Sequence, residues 1–164
     1  MSLLRFASVA LLAVWIGGLA VLGAVGAPAI FSVLEAHDPV AGRTLAGAVF
    51  GEVFNRFQHL AWGIGVLLMA LLGVRAALGP RPRPFALRMW TLVGMLAISL
   101  ASALVIAPRI DHLRETTPGT IASLADTDSR KIAFGRLHGL TNGLMVLTLL
   151  AGTWLVWADL RDTH

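Results

Sequence analysis

The sequence predicts an all-α, polytopic integral membrane protein: a four-helix bundle built from two repeated helical hairpins. Three observations predict it. The 164 residues are 57% hydrophobic and only 13% charged, with a mean hydropathy of +0.78, outside the range of ordinary soluble domains. Four long stretches are free of charge, and a set of costly residues recurs at one constant offset of 80 positions.

The charge-free stretches run from Phe6 to Leu34, Phe57 to Val74, Met89 to Pro108 and Leu137 to Ala158. Each is close to the roughly 17 to 25 residues that a helix needs to cross hydrocarbon. A closed barrel would read as short alternating segments, whereas these are continuous. Arg5 before an apolar stretch ending in AVGAP has the outline of a secretory signal. The stretch is too long for a typical signal, and Pro28 would follow the cut directly, so an uncleaved first span is expected.

Topology follows from the connections. The short one between the second and third spans, VRAALGPRPRPFALR, holds Arg75, Arg81, Arg83 and Arg88 with no acid. The other two are longer and hold seven of the nine acids: Glu35, Asp38, Glu52, Asp111, Glu115, Asp126 and Asp128. This bias places both termini and the Arg-rich turn in the cytoplasm, in a bacterial-type inner membrane. The net charge of +4 is a topology signal in so apolar a chain and predicts no nucleic-acid partner.

The repeat pairs Ala27-Pro28 with Ala107-Pro108, Phe54 with Phe134, Arg56 with Arg136, Leu60 with Leu140 and Gly63 with Gly143. The chain thus reads as one membrane domain, residues 1–164, with hairpins at about 3–78 and 84–160 related by an axis along the membrane normal. Asp38-Pro39 and, one residue out of step, Thr117-Pro118 read as N-caps followed by a first-turn proline, opening the second and fourth helices outside the membrane. Proline removes a backbone donor and crowds the carbonyl four residues back. Pro28, followed by apolar residues, predicts a kink; Pro108, followed by Arg109, Asp111 and His112, predicts a helix exit.

Candidate site residues come from two matched stretches, FNRFQHLAWG at 54–63 and FGRLHGLTNG at 134–143. Gly135, Gly139 and Gly143 form a smooth stripe on the fourth helix, with His138, Asn142 and Met145 beside it. On the second helix the stripe is Arg56, His59 and Gly63, next to Gln58 and Trp62. A glycine stripe predicts a packing seam, so these polar groups are expected to face the protein interior. Three readings compete: structural residues, with the arginines snorkelling to the outer interface; a cavity for a small ligand, ion or proton lined by Arg56, His59, Arg136, His138 and Asn142; or a haem b or copper site using His59 and His138. Against the last, the repeat pairs His138 with Gln58 and His59 with Gly139, so the imidazoles are not symmetry mates.

Nothing points to a hydrolase or a nucleotide enzyme. The chain has no cysteine, phosphate loop, dinucleotide fingerprint, zinc-protease histidine pair or nucleophile elbow. His37, His112 and His164 read as solvent-facing. Trp90, Trp154 and Trp157 fall where an inner aromatic belt belongs, while Trp15 and Trp62 lie deeper and should pack. Glycine-rich faces would also suit a homo-oligomer or an accessory subunit of a larger membrane complex.

The sequence resembles the domain of unknown function 4149, or transmembrane protein 205-like, family. The resemblance rests on VWIGGL and APAIF in the first span, AGR before the second, and FGRLHGLTN opening the fourth. It implies a small four-helix membrane protein with a polar cluster including Arg136, His138 and Asn142, and no settled activity. More distantly the layout looks like the copper-resistance D family and four-helix haem-containing protoporphyrinogen oxidases, which lends the metal reading its weight.

Overall fold

The structure, a computed structural model, describes residues 2–39, 41–79 and 84–161. Four helices carry almost all of these residues: α1 (Leu3–His37), α2 (Ala41–Leu78), α3 (Phe85–Glu115) and α4 (Ser129–Arg161). All four are long and apolar enough to span a membrane, and no strand occurs among the described residues. Arg81 and Arg83, which carry much of the topology argument, lie outside the described residues, as does His164.

The inward faces follow a coiled-coil register. Ser8, Leu12, Trp15 and Leu19 on α1 are buried at spacings of four, three and four, as are Thr148, Gly152, Leu155 and Asp159 on α4. Leu68, Leu72 and Arg75 continue the pattern on α2, and Arg88, Leu92, Met95, Ser99 and Ser102 on α3. This repeat keeps one seam of each helix facing its neighbours at a shallow crossing angle. The centre of the core is Leu12, Trp15, Leu68, Leu92, Met95 and Leu155.

Helix α1 packs on α2 and α4, and α3 packs on the same two, so the bundle is a square in which α2 and α4 stand diagonally opposite. One glycine decides how α1 meets α2. A Cβ on Gly42 would fall on the backbone carbonyl of Leu34, so only the bare glycine lets the two helices close behind their turn. Asp38 caps α2, its Oδ1 accepting from Ala41 N at 2.8 Å as the sequence suggests.

Two expectations are corrected by the structure. Pro108 does not end its helix: α3 continues to Glu115, just as α1 continues past Pro28 to His37. Each proline is preceded by a five-residue π-helical turn, Leu22–Gly26 in α1 and Ser102–Ile106 in α3. Ala27 N–H bonds the Leu22 carbonyl and Ala107 N–H the Ser102 carbonyl, five residues back rather than four. The wider turn moves the carbonyl that the proline ring would strike, which is how the helix passes through. The turns lie 80 positions apart, at the offset found in the sequence.

Thr117 is not the cap of α4. Its hydroxyl donates back to Leu113 O at 2.6 Å, closing α3, and a 3-10 turn at Ile121–Ser123 intervenes. The cap is Asp128, which accepts from Arg130 N at 2.8 Å and from the Arg130 guanidinium at 2.8 and 3.1 Å. These bonds hold the Asp128 carboxyl at about 2, below the ordinary 3.8. Asp126 is lowered as well, by its contact with Lys131 at 2.8 Å. Because the folded value is depressed, this stabilisation is complete above about pH 4 and lost as pH falls toward 2. The Arg130 amide resonance is therefore expected to titrate with a midpoint near 2, and Asp128→Asn to abolish that titration.

Candidate functional site

The five sequence-designated residues do not line an interior pocket. Arg56, His59, Arg136, His138 and Asn142 are all exposed, directed away from the bundle axis. Arg56 donates to Glu52 at 2.7 Å in an exposed pair of the kind worth little. A His59 ring nitrogen bonds the Asn55 carbonyl at 2.9 Å, one turn back, and the His138 ring stacks on Phe134 with centroids 6.1 Å apart. The expectation that they face inward fails because the glycine stripe it relied on is open: a Cβ on Gly135, Gly139 or Gly143 would meet nothing within 4 Å. His59 and His138 stand on the diagonally opposed helices, both facing out, so one chain does not bring them together around a haem or copper ion. No group of three or more metal-ligating acids or histidines occurs among the described residues.

Depth explains the two arginines. Arg56 stands 19 residues from Arg75 at the other end of α2, about 28 Å along the axis, close to one hydrocarbon thickness. Exposed Trp90 and Trp157, the latter under the Arg161 guanidinium at 4.0 Å, mark the opposite boundary, near both termini. Arg56 and Arg136 thus sit where long cationic chains reach the headgroups.

The interior holds two polar clusters that charge patterning alone does not reveal. At the end bearing both termini, Asp159 Oδ1 accepts from Arg75 Nη1 at 2.7 Å and Arg88 Nη1 at 2.9 Å, and Arg88 Nη2 donates to Ala158 O at 2.9 Å. All three side chains are at most 7% exposed. They tie α2, α3 and α4 together beside Ser8 of α1, around a cavity of about 20 Å³. Arg75 and Arg88 read as loop charges because each adjoins a charge-free run. The signal that finds them is the core register, since both fall in step with the buried seam.

The second cluster lies beyond the apolar centre, toward the π-turns. Trp62 Nε1 donates to Ser99 Oγ at 3.0 Å, and Ser99 Oγ donates to Gln58 Oε1 at 2.9 Å. His59 leans on the same Trp62 with ring centroids 4.7 Å apart, so an exposed imidazole adjoins the buried chain. Next to it is a cavity of about 20 Å³ lined by Trp15, Gln58, Ser99, Ser102, Thr141 and Thr148 among others. Trp15 is fully buried, seated where Gly65 leaves room; a Cβ there would lie 3.2 Å from the indole. Its Nε1 finds no acceptor in the protein.

Intramembrane polar groups are costly and face partners or pathways rather than lipid. Ser99 is the hub, and Ser99→Ala removes the acceptor of Trp62 and the donor to Gln58 together. With interhelical bonds averaging about 0.6 kcal/mol and reaching about 1.7, the expected loss is about 1–2 kcal/mol, read from unfolding in detergent.

A family model described as a domain of unknown function (DUF4149) matches residues 10–118. The match takes in α1 from residue 10 onward, α2, α3, both π-turns and the buried residues Gln58, Arg75, Arg88, Ser99 and Ser102, and it ends before Arg136, His138 and Asn142. No curated protein and no solved structure matches the chain.

Proposed function

Because the chain belongs to the family of the domain of unknown function DUF4149, whose description assigns no activity, we propose from its geometry a transport-related membrane protein for small neutral hydrogen-bonding solutes. The observation that carries this reading is the pair of π-turn and proline junctions, 80 positions apart in α1 and α3, one of which borders the polar cavity through Ser102. Interrupted helices beside a polar site recur in membrane carriers, where backbone breaks line binding positions and serve as hinges.

Bending at these junctions would swing the outer segments of α1 and α3 and admit a solute to Gln58, Ser99, Ser102 and Thr148. The closed form, with its small cavity, is one state of that cycle. Arg75, Arg88 and Asp159 hold the far end shut while the outer end opens. Arg56, His59, Arg136, His138 and Asn142, outside the bundle at the outer boundary, form the rim that a solute or headgroup meets first. In this reading the two hairpins are copies of one unit, and the termini lie on the cytoplasmic side of an inner membrane.

The lining favours neutral cargo. The residues around the cavity offer amide, hydroxyl and indole groups without a carboxylate, ammonium or guanidinium. The test is stopped-flow light scattering of proteoliposomes challenged with urea or glycerol. Permeability is expected above that of protein-free vesicles and to fall in Ser102→Val, whose added methyls intrude on the cavity. Equal permeability with and without protein for both solutes would overturn the proposal.

A further inference from the structure

We propose that the cavity between α1, α2, α3 and α4 is a binding site for one ordered water molecule, held by the Trp15 indole N–H. Trp15 is fully buried, its Nε1 meets no protein acceptor, and it lines the cavity. An indole nitrogen can only donate, so the occupant must accept a hydrogen bond. The lining has no carboxylate to balance a cation and no cationic side chain to balance an anion. A neutral molecule with both an acceptor and donors remains.

Size and stoichiometry select water. The volume of about 20 Å³ exceeds the roughly 10–15 Å³ that one water needs, and water is the smallest neutral molecule that both accepts and donates. The two protons of that water also have acceptors. Thr141 and Thr148 spend their hydroxyl protons on their own helix, on Leu137 O at 3.0 Å and Leu144 O at 2.9 Å, which leaves their oxygen lone pairs available to the cavity. Ser102, on the first residue of the π-turn, adds a further hydroxyl. One accepted and two donated bonds complete the usual set of a buried water.

The water site shares its cavity with the proposed solute path but does not depend on any helix bending. Its test is a dipolar cross-peak between water and the Trp15 indole proton in ¹⁵N-labelled protein in lipid nanodiscs. The resonance is assigned by elimination with the Phe variants of Trp62, Trp90, Trp154 and Trp157, which leave Trp15 in place. A cross-peak of the sign that marks long residence is expected at Trp15, with its loss in Ser102→Val and its weakening in the shape-conserving Thr148→Val. No cross-peak in the unaltered protein, or one that survives both variants unchanged, would overturn the assignment. An ordered water in a protein that gives vesicles no solute permeability would end the transport reading and leave this one standing.

Discussion

Asp159→Asn is expected to destabilise the protein by about 3–5 kcal/mol. Asp159 accepts from Arg75 and Arg88 through one oxygen, and all three side chains are buried. Removing its charge takes from two buried guanidinium groups the carboxylate oxygen to which both donate. The measurement is reversible unfolding in mixed micelles, followed by far-ultraviolet circular dichroism. A control separates charge from packing: replacing Arg75, Arg88 and Asp159 together by apolar residues of similar volume is expected to come close to neutral, since the desolvation of all three charges is then avoided. By contrast Glu52→Gln, at the exposed pair with Arg56, is expected to change stability by less than about 1 kcal/mol. If Asp159→Asn behaves like Glu52→Gln, the cluster does not clamp the three helices.

Gly42→Ala is the second large effect, and its sign runs against intrinsic preference. Alanine in a helix is favoured over glycine by about 1 kcal/mol. At Gly42, however, the new Cβ would land on the Leu34 carbonyl, a backbone atom that cannot step aside as a flexible side chain does. Overpacking of this kind costs about 1–3 kcal/mol, and here α1 and α2 must separate behind their turn. Gly139→Ala is the matched comparison, because nothing lies within 4 Å of its added carbon. Gly42→Ala is expected to lower the melting temperature, and Gly139→Ala is expected not to lower it.

The number and order of the helices were legible because four charge-free runs survive in a chain that otherwise spaces its charges. Helix lengths were not. The run from Phe57 to Val74 covers only the lipid-facing part of α2, which begins at Ala41 and carries Arg43, Glu52 and Arg56 on exposed turns outside the hydrocarbon. Charge marks where lipid ends, whereas a helix ends where its capping chemistry says so, at Asp38 and Asp128.

The inward face was harder for a related reason. In a soluble bundle apolar residues point in, but lipid is as apolar as a core, so Leu60, Val66 and Leu147 are exposed while Ser8, Ser99 and Ser102 are buried. Gly135, Gly139 and Gly143 therefore misled, because smallness alone does not say which side of a helix meets protein. What distinguishes the interior is polar and small residues falling in heptad step with large apolar ones. That pattern reaches Arg75, Arg88 and Asp159 at the helix ends, and the sequence already carries it. The π-turns were not legible, since their neighbouring residues, apart from the proline two positions on, differ little from those of an ordinary helix.

Those two turns also bear on how chains of this fold can vary in length. A π-turn has taken up one residue more than regular helical winding uses. Deleting one residue from Leu22–Gly26 or Ser102–Ile106 would restore ordinary winding while leaving the outer segment nearly in phase. The same deletion one or two turns earlier would rotate everything beyond it by about 100° and present the wrong face to the neighbouring helix. Single-residue gains and losses within α1 and α3 are thus expected to collect at these two places, and to be excluded from the rest of both spans.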